Sequence, residues 1–144
     1  MKQKPILKVC LLDPKAKIPS YAHNGDAGLD LFTPQKVIIK AGERVIIDTK
    51  IAMEIPEGTV ALIWDKSGLA IKHGIKILGG VFDYGYRGSY TISLINLSKE
   101  DYTFEAGDKI AQVLIQPVIT VQVVESDIEN NTSRGEGRMG STGK

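Results

Sequence analysis

A chain of 144 residues falls in the ~100–200-residue range of one domain, long enough to bury a core without staples. Apolar residues make up 42% and charged residues 24%, a balance that excludes a disordered chain or a fibre. Eighteen Lys+Arg against 17 Asp+Glu leave a net charge of +1, too weak a field to point to nucleic acid or an anionic membrane as a partner.

The first residues, Met1-Lys2-Gln3-Lys4-Pro5, lack the apolar stretch of a signal peptide, and no run approaches the ~18 residues of a membrane span. The sole cysteine, Cys10, excludes an intrachain disulfide or a cysteine metal cage and fits a reducing, cytoplasmic setting. Eighteen Ile and 10 Val against 11 Leu favour strands over helices. The apolar runs are short: Ile6–Leu12, Val37–Ile39, Val45–Ile55, Val60–Trp64, Tyr90–Leu97, Ile110–Ile115 and Val118–Val124. Each is bounded by Gly, Pro, Asp or Asn, the spacing of a sandwich or barrel. From Thr91 to Leu97 polar and apolar residues mostly alternate, as in a strand with one buried face. Ala41-Gly42-Glu43, Pro56-Glu57-Gly58 and Ala106-Gly107-Asp108 read as strand connectors. One short helix is expected from Ser67, an N-cap residue type, to a closing Gly74. The hydrophobic pattern stops at Glu125, which divides the chain into a β domain, residues 1–125, and a C-terminal arm, residues 126–144.

Four polar or Gly-rich stretches could carry chemistry. Gly25-Asp26-Ala27-Gly28-Leu29-Asp30-Leu31 places two carboxylates four residues apart, as turn or cap residues or as a holder of Mg²⁺ through water. Lys66-Ser67-Gly68 sets a cation and a hydroxyl at a helix start, a plain cap or a phosphate site. Gly79-Gly80-Val81-Phe82-Asp83-Tyr84-Gly85-Tyr86-Arg87-Gly88 reads as a long hairpin with aromatic packing, or as a surface that something flat approaches closely. Arg134 to Gly143 has the composition of a loop that wraps polyphosphate, without a Walker A sequence, or of a plain tail. His23 and His73 are too isolated to form a metal pair.

Taken in order, these stretches resemble the five motifs of the trimeric dUTPase family, the deoxyuridine triphosphate nucleotidohydrolases. Asp26 to Leu31 resembles the first, Lys66-Ser67-Gly68-Leu69-Ala70 the second, Gly80 to Gly88 the third, Gly107-Asp108-Lys109-Ile110-Ala111-Gln112 the fourth, and Arg134 to Gly143 the fifth. The resemblance implies a mainly β, jelly-roll-like subunit (a β-clip) with one short helix, assembled as a homotrimer whose active sites draw on three subunits. It implies hydrolysis of dUTP to dUMP and pyrophosphate with Mg²⁺, limiting uracil in DNA and supplying dUMP. Asp83 matches the base that activates water for attack on the α-phosphorus. Tyr86 matches the ring that excludes a 2′-hydroxyl, and Asp30 matches the carboxylate holding a metal-bound water. Lys66, Ser67, Gly68 and Gln112 match phosphate contacts, and Leu78, Gly79, Gly80 and Val81 the backbone that reads uracil. Arg134, Arg138, Met139, Gly140, Ser141 and Thr142 match the tail that closes on the substrate.

Four positions depart from the commonest pattern: Lys66 for Arg, Gly85 for a second Asp, and Arg138 and Met139 for Gly and Phe. Lysine keeps the charge and loses the bidentate fork. Methionine offers a polarizable thioether in place of a stacking ring, which implies weaker substrate binding with the chemistry retained. The alternatives are a dCTP deaminase-related enzyme and a non-catalytic nucleotide-binding regulator on the same scaffold.

Overall fold

The computed structural model describes residues 4–143, so the outermost ends of both expected segments, residues 1–3 and 144, lie outside the described residues. In chain order the elements are β1 Lys8–Leu11, β2 Leu29–Phe32, β3 Val37–Ile39, β4 Arg44–Glu54, β5 Thr59–Trp64, α1 Ser67–His73, β6 Ile75–Leu78, β7 Val81–Phe82, β8 Ser89–Asn96, β9 Tyr102–Phe104 and β10 Lys109–Pro117. They form two antiparallel four-stranded sheets, ordered β1-β4-β8-β6 and β2-β10-β5-β7, with a separate β3-β9 pair. The expected mainly β subunit with one short helix is what the chain forms.

Period-2 alternation sets the inward faces. Along β8, Tyr90, Ile92, Leu94 and Asn96 are buried, and along β4 so are Ile47, Thr49, Ile51 and Met53. They meet Leu31, Ile39, Phe104, Ile110 and Val113 in one core, each large apolar side chain contributing about 1.5–3 kcal/mol by leaving water. Asn96 is the polar exception and is fully bonded. Its Nδ2 donates to Ile39 O and Glu100 O at 3.0 and 2.7 Å, and its Oδ1 accepts from Ser98 N and Oγ at 2.9 and 2.8 Å. That satisfaction makes its burial tolerable.

The three expected connectors occur, with Gly42, Gly58 and Gly107 all at positive φ. Helix α1 ends as expected on Gly74, at φ 64°, whose N–H bonds back to Ala70 O. Its start differs: the capping residue is Lys66, with extended backbone, and Ser67 is already the first helical residue. The run Val118–Val124 forms no strand. The chain beyond Pro117 joins neither sheet of its own subunit. Its apolar side chains stand in solvent, with Ile119 87% and Val123 88% exposed. Among the described residues no helix is long and apolar enough to cross a membrane.

Candidate active site

Strand β10 lies between β2 and β5, and its register sets Gln112 opposite Asp30 on one side and Trp64 on the other. Three separate sequence stretches therefore meet at one end of the second sheet. Asp30 points to the face of β2 opposite Leu29 and Leu31, and it too is closed off, at 2% exposed. Two lysines compensate the buried charge: Lys66 donates to Oδ1, and the Lys109 ammonium stands 2.7 Å from Oδ2. No well-aligned hydrogen bond joins Lys109 to Oδ2, but at 2.7 Å its ammonium is the near neighbour of that buried oxygen. Burial pushes the Asp30 pKa up, but Lys109 and Lys66 outweigh it and hold the carboxyl below its ordinary 3.8.

The Gln112 side chain is fixed from both directions. Its Nε2 donates to Asp65 O at 2.8 Å, and Gly28 leaves it room, since a Cβ there would sit 3.0 Å from Gln112 Cδ. Asp65 is itself anchored, its Oδ1 accepting from Ile77 N and its Oδ2 from Lys76 Nζ, both at 2.7 Å. Ser67 follows in the first turn of α1, which carries no acidic residue to offset its electropositive end. Between these groups opens a depression of about 520 Å³ lined by Ala27, Trp64, Asp65, Ser67, Ala70, Ile71, Gln112 and Leu114. Its polar lining is Ser67, Gln112 and Asp65, set among apolar side chains, and Lys66, paired with Asp30, directly precedes Ser67 in the chain.

Of the two readings of the Gly79–Gly88 stretch, the long hairpin is not what forms. Leu78 ends β6 in the first sheet, Gly79 and Gly80 cross over, and Val81 enters β7 in the second sheet beside Leu62. The crossing is held where Ile63 N donates to Gly80 O at 2.7 Å. The chain then returns to the first sheet through a turn closed by Tyr86 N donating to Asp83 O at 3.0 Å. Arg87 stiffens this turn by donating to Tyr84 O and Tyr86 O at 2.6 and 3.0 Å. The Asp83 carboxylate is exposed, and Tyr86 packs beside Phe82 and edge-on to Tyr90, with ring centroids 5.5 and 5.8 Å away. Neither Asp83 nor Tyr86 lines the Ser67–Gln112 depression. A smaller hollow of about 230 Å³, lined in part by Gly80, Val81 and Trp64, adjoins it through Trp64.

The arm also stays apart from that depression within one chain. Arg134 turns back on its own segment, donating to Gly137 O at 3.0 Å and Arg138 O at 3.4 Å. Arg138, Gly140, Ser141 and Thr142 are exposed, and Met139 is 90% exposed. The structure thus brings together Asp30, Lys66, Ser67 and Gln112, leaves Gly68 exposed on the same helix start, and sets the other candidates elsewhere. Sequence reasoning gave no role to Lys109, Asp65 or Trp64. Only Lys109 carried a signal, as a cation opening a strand that pairs with the one bearing Asp30.

Asp30 is the kind of hard oxygen donor that holds a hydrated Mg²⁺ through water, and in this structure both of its oxygens face lysine ammoniums. Among the described residues no group of three or more His, Cys, Asp or Glu could form an all-protein cage.

The family model described as dUTPase matches residues 14–143. The deoxyuridine 5′-triphosphate nucleotidohydrolase of Clostridium tetani (strain Massachusetts / E88) is 45% identical over 140 residues, covering 96% of this chain and 97% of that one. Its counterpart in Clostridium acetobutylicum is 48% identical over 139 residues, covering 95% and 96%. Among solved structures, the Staphylococcus bacteriophage 80alpha dUTPase with dUPNHPP superposes with a TM-score of 0.89 at 31% identity, covering 96% of this chain and 99% of that one. A mutant dUTPase of phage phi11 of S. aureus, solved to show the coordination of a structural Mg(II) ion, gives 0.79 at 30% identity over 85% and 97%. With the motif residues in place and both comparisons spanning most of the chain, this protein belongs to the dUTPase family.

Proposed function

We propose that this chain is a dUTP diphosphatase, hydrolysing dUTP to dUMP and pyrophosphate. The observation that carries the reading is the convergence of Lys66, Ser67 and Gln112 around buried Asp30, in a member of the dUTPase family. Such a cluster holds a polyphosphate by charge, hydroxyl and amide contacts. Asp83, exposed on its stiffened turn, takes a proton from water as that water attacks the α-phosphorus in line, and pyrophosphate leaves. The Tyr86 ring packs on the deoxyribose and excludes a 2′-hydroxyl. Backbone groups from Leu78 to Val81 read uracil, and a base with the reversed donor pattern strands buried polar groups. The Asp30 carboxylate would accept from water on an Mg²⁺ that arrives with the triphosphate, once a lysine beside it gives way. When bound, that ion neutralises phosphate charge and eases departure of pyrophosphate.

The assembly is a homotrimer with shared sites. Two observations support it: Asp83 and Tyr86 lie outside the Ser67–Gln112 depression of their own chain, and Val118–Val124 exposes an uncovered apolar run that another copy would bury. The arm, with Arg134, Arg138, Ser141 and Thr142 contacting phosphates and Met139 over the base, completes a neighbour's site. Residues 1–125 act as the β domain and 126–144 as the arm. The free, exposed Cys10 fits a cytoplasmic setting.

The test is direct. With Mg²⁺ and dUTP the protein should release pyrophosphate, and Asp83→Asn should bind dUTP while losing turnover by the ~10²–10⁴-fold typical of a general base. Retention of more than about a tenth of kcat would refute the role of Asp83, and ammonia release from dCTP would favour the deaminase alternative.

A further inference from the structure

The longest strand, β4, carries an irregularity. Its register with β8 slips between Asp48, opposite Thr91, and Ala52, opposite Ser89. Within the slip Lys50 is the one non-glycine at positive φ among the described residues, at 57°. A lysine in that region is uncommon and marks a conformation that its surroundings impose. Asp48 is what holds it: Oδ1 accepts from Lys50 N at 2.9 Å, and Oδ2 stands 2.8 Å from Lys50 Nζ. Thr49 Oγ1 donates to Tyr90 O at 2.7 Å, and Leu12 N donates to Lys50 O at 2.8 Å, so the bulge is tied to strands on both sides.

The same Asp48 Oδ1 accepts from Ser89 Oγ. Ser89 in turn offers its carbonyl to Tyr86, whose hydroxyl donates to it at 2.8 Å. Nothing else fixes the hydroxyl end of that ring as directly. The ring's flanks rest on Phe82 and Tyr90, and the site opposite Gly88 is just empty enough, since a Cβ there would sit 2.5 Å from Tyr86 Oη. A ring set by packing alone slides in its plane, whereas one whose hydroxyl is bonded to a fixed carbonyl does not.

We propose that Asp48 is a positioning residue for sugar discrimination: by holding Ser89 against the β4 bulge, it fixes the Tyr86 ring at the depth that excludes a 2′-hydroxyl. This rests on the reading of Tyr86 given above, and deepens it by naming what sets the ring. Burial favours the neutral form of Asp48, but the Lys50 ammonium and the Ser89 hydroxyl outweigh that and keep the carboxyl below its ordinary value, so the anchor is charged at neutral pH.

The experiment measures kcat/KM for dUTP and for UTP in wild type, Asp48→Ala, Asp48→Asn, Ser89→Ala and Tyr86→Ala. Asp48→Ala should lower the dUTP/UTP ratio by about tenfold, the scale of one lost anchoring hydrogen bond, chiefly by admitting UTP. Asp48→Asn keeps an acceptor oxygen for Ser89 and should restore most of the ratio. A merely structural role would instead lower both substrates in parallel and leave the ratio alone, and that result overturns the proposal. Tyr86→Ala separates the two readings. If it collapses the ratio while Asp48→Ala does not, Tyr86 is the wall and Asp48 does not set it. If it leaves the ratio unchanged, the reading of Tyr86 fails and the proposal falls with it. Should Asp48→Ala not fold, Ser89→Ala decides by the same ratio, a fall supporting the anchor and no change refuting it.

Discussion

Replacing both lysines beside Asp30 should cost far more stability than the two single replacements together. Asp30 is 2% exposed, whereas the Lys66 and Lys109 side chains are 27% and 45% exposed. A lysine released from the pair regains water, and the carboxylate cannot. With either cation left in place, Asp30 keeps a countercharge, so Lys66→Met or Lys109→Met alone should lose about 1 kcal/mol, as for partly exposed pairs. The methionine keeps most of the aliphatic stem, which limits the packing loss. The double variant strands a buried charge, which costs about 3–5 kcal/mol. At ~2–4 °C per kcal/mol for a chain of this size, the melting point should drop by roughly 6–20 °C. The pH dependence has a definite sign. In the wild type the carboxyl titrates below its ordinary 3.8, so its contribution is complete above that value and is lost as pH falls through the lower native pKa. In the double variant only burial acts, which raises the pKa, and acid relieves the stranded charge. The stability gap between the two proteins should therefore begin to narrow as pH falls through the raised pKa of the double variant, above the ordinary 3.8, and go on narrowing down to the lowered pKa of the wild type. Urea unfolding at one fixed protein concentration, run at neutral pH and in acid, measures both effects. A double variant within about 0.5 kcal/mol of the summed singles, or a gap that does not change with pH, would refute the argument.

Two further outcomes concern assembly and the arm. Asp83→Asn subunits mixed with chains cut after Ser133 should regain activity once subunits exchange, because the two lesions then fall in different sites. Light scattering that finds a stable, active monomer would dispose of shared sites. Met139→Phe should lower KM for dUTP, by less than the ~1–3 kcal/mol that ring-on-base stacking is worth against alanine. A non-hydrolysable dUTP analogue should also shield residues 134–143 from protease. Unchanged kinetics together with unchanged cleavage would mean that this arm does not close over the base.

The features readable in the sequence are those set by neighbours along the chain. Alternation fixes which residues of β4 and β8 face inward, Gly42, Gly58 and Gly107 mark the turns, and Gly74 ends the helix. The motif residues, too, were identifiable by type and order before any of them was placed in space. Strand β2 was not recognised, because four residues interrupted by Asp30 resemble a polar loop until β10 pairs with them. Nothing local to Asp30 says that it is buried or that it takes two lysines from positions 66 and 109. Nor does the glycine-rich stretch reveal that it crosses from one sheet to the other and keeps Asp83 away from Ser67 within one chain. Val118–Val124 has the composition of a strand, yet it joins neither sheet of its own chain and stays exposed. Local composition sets a residue's preference for strand, turn or helix. Which strands pair, and so which charges meet and which apolar runs stay uncovered, depends on packing between segments far apart in the chain, and only the tertiary structure decides that.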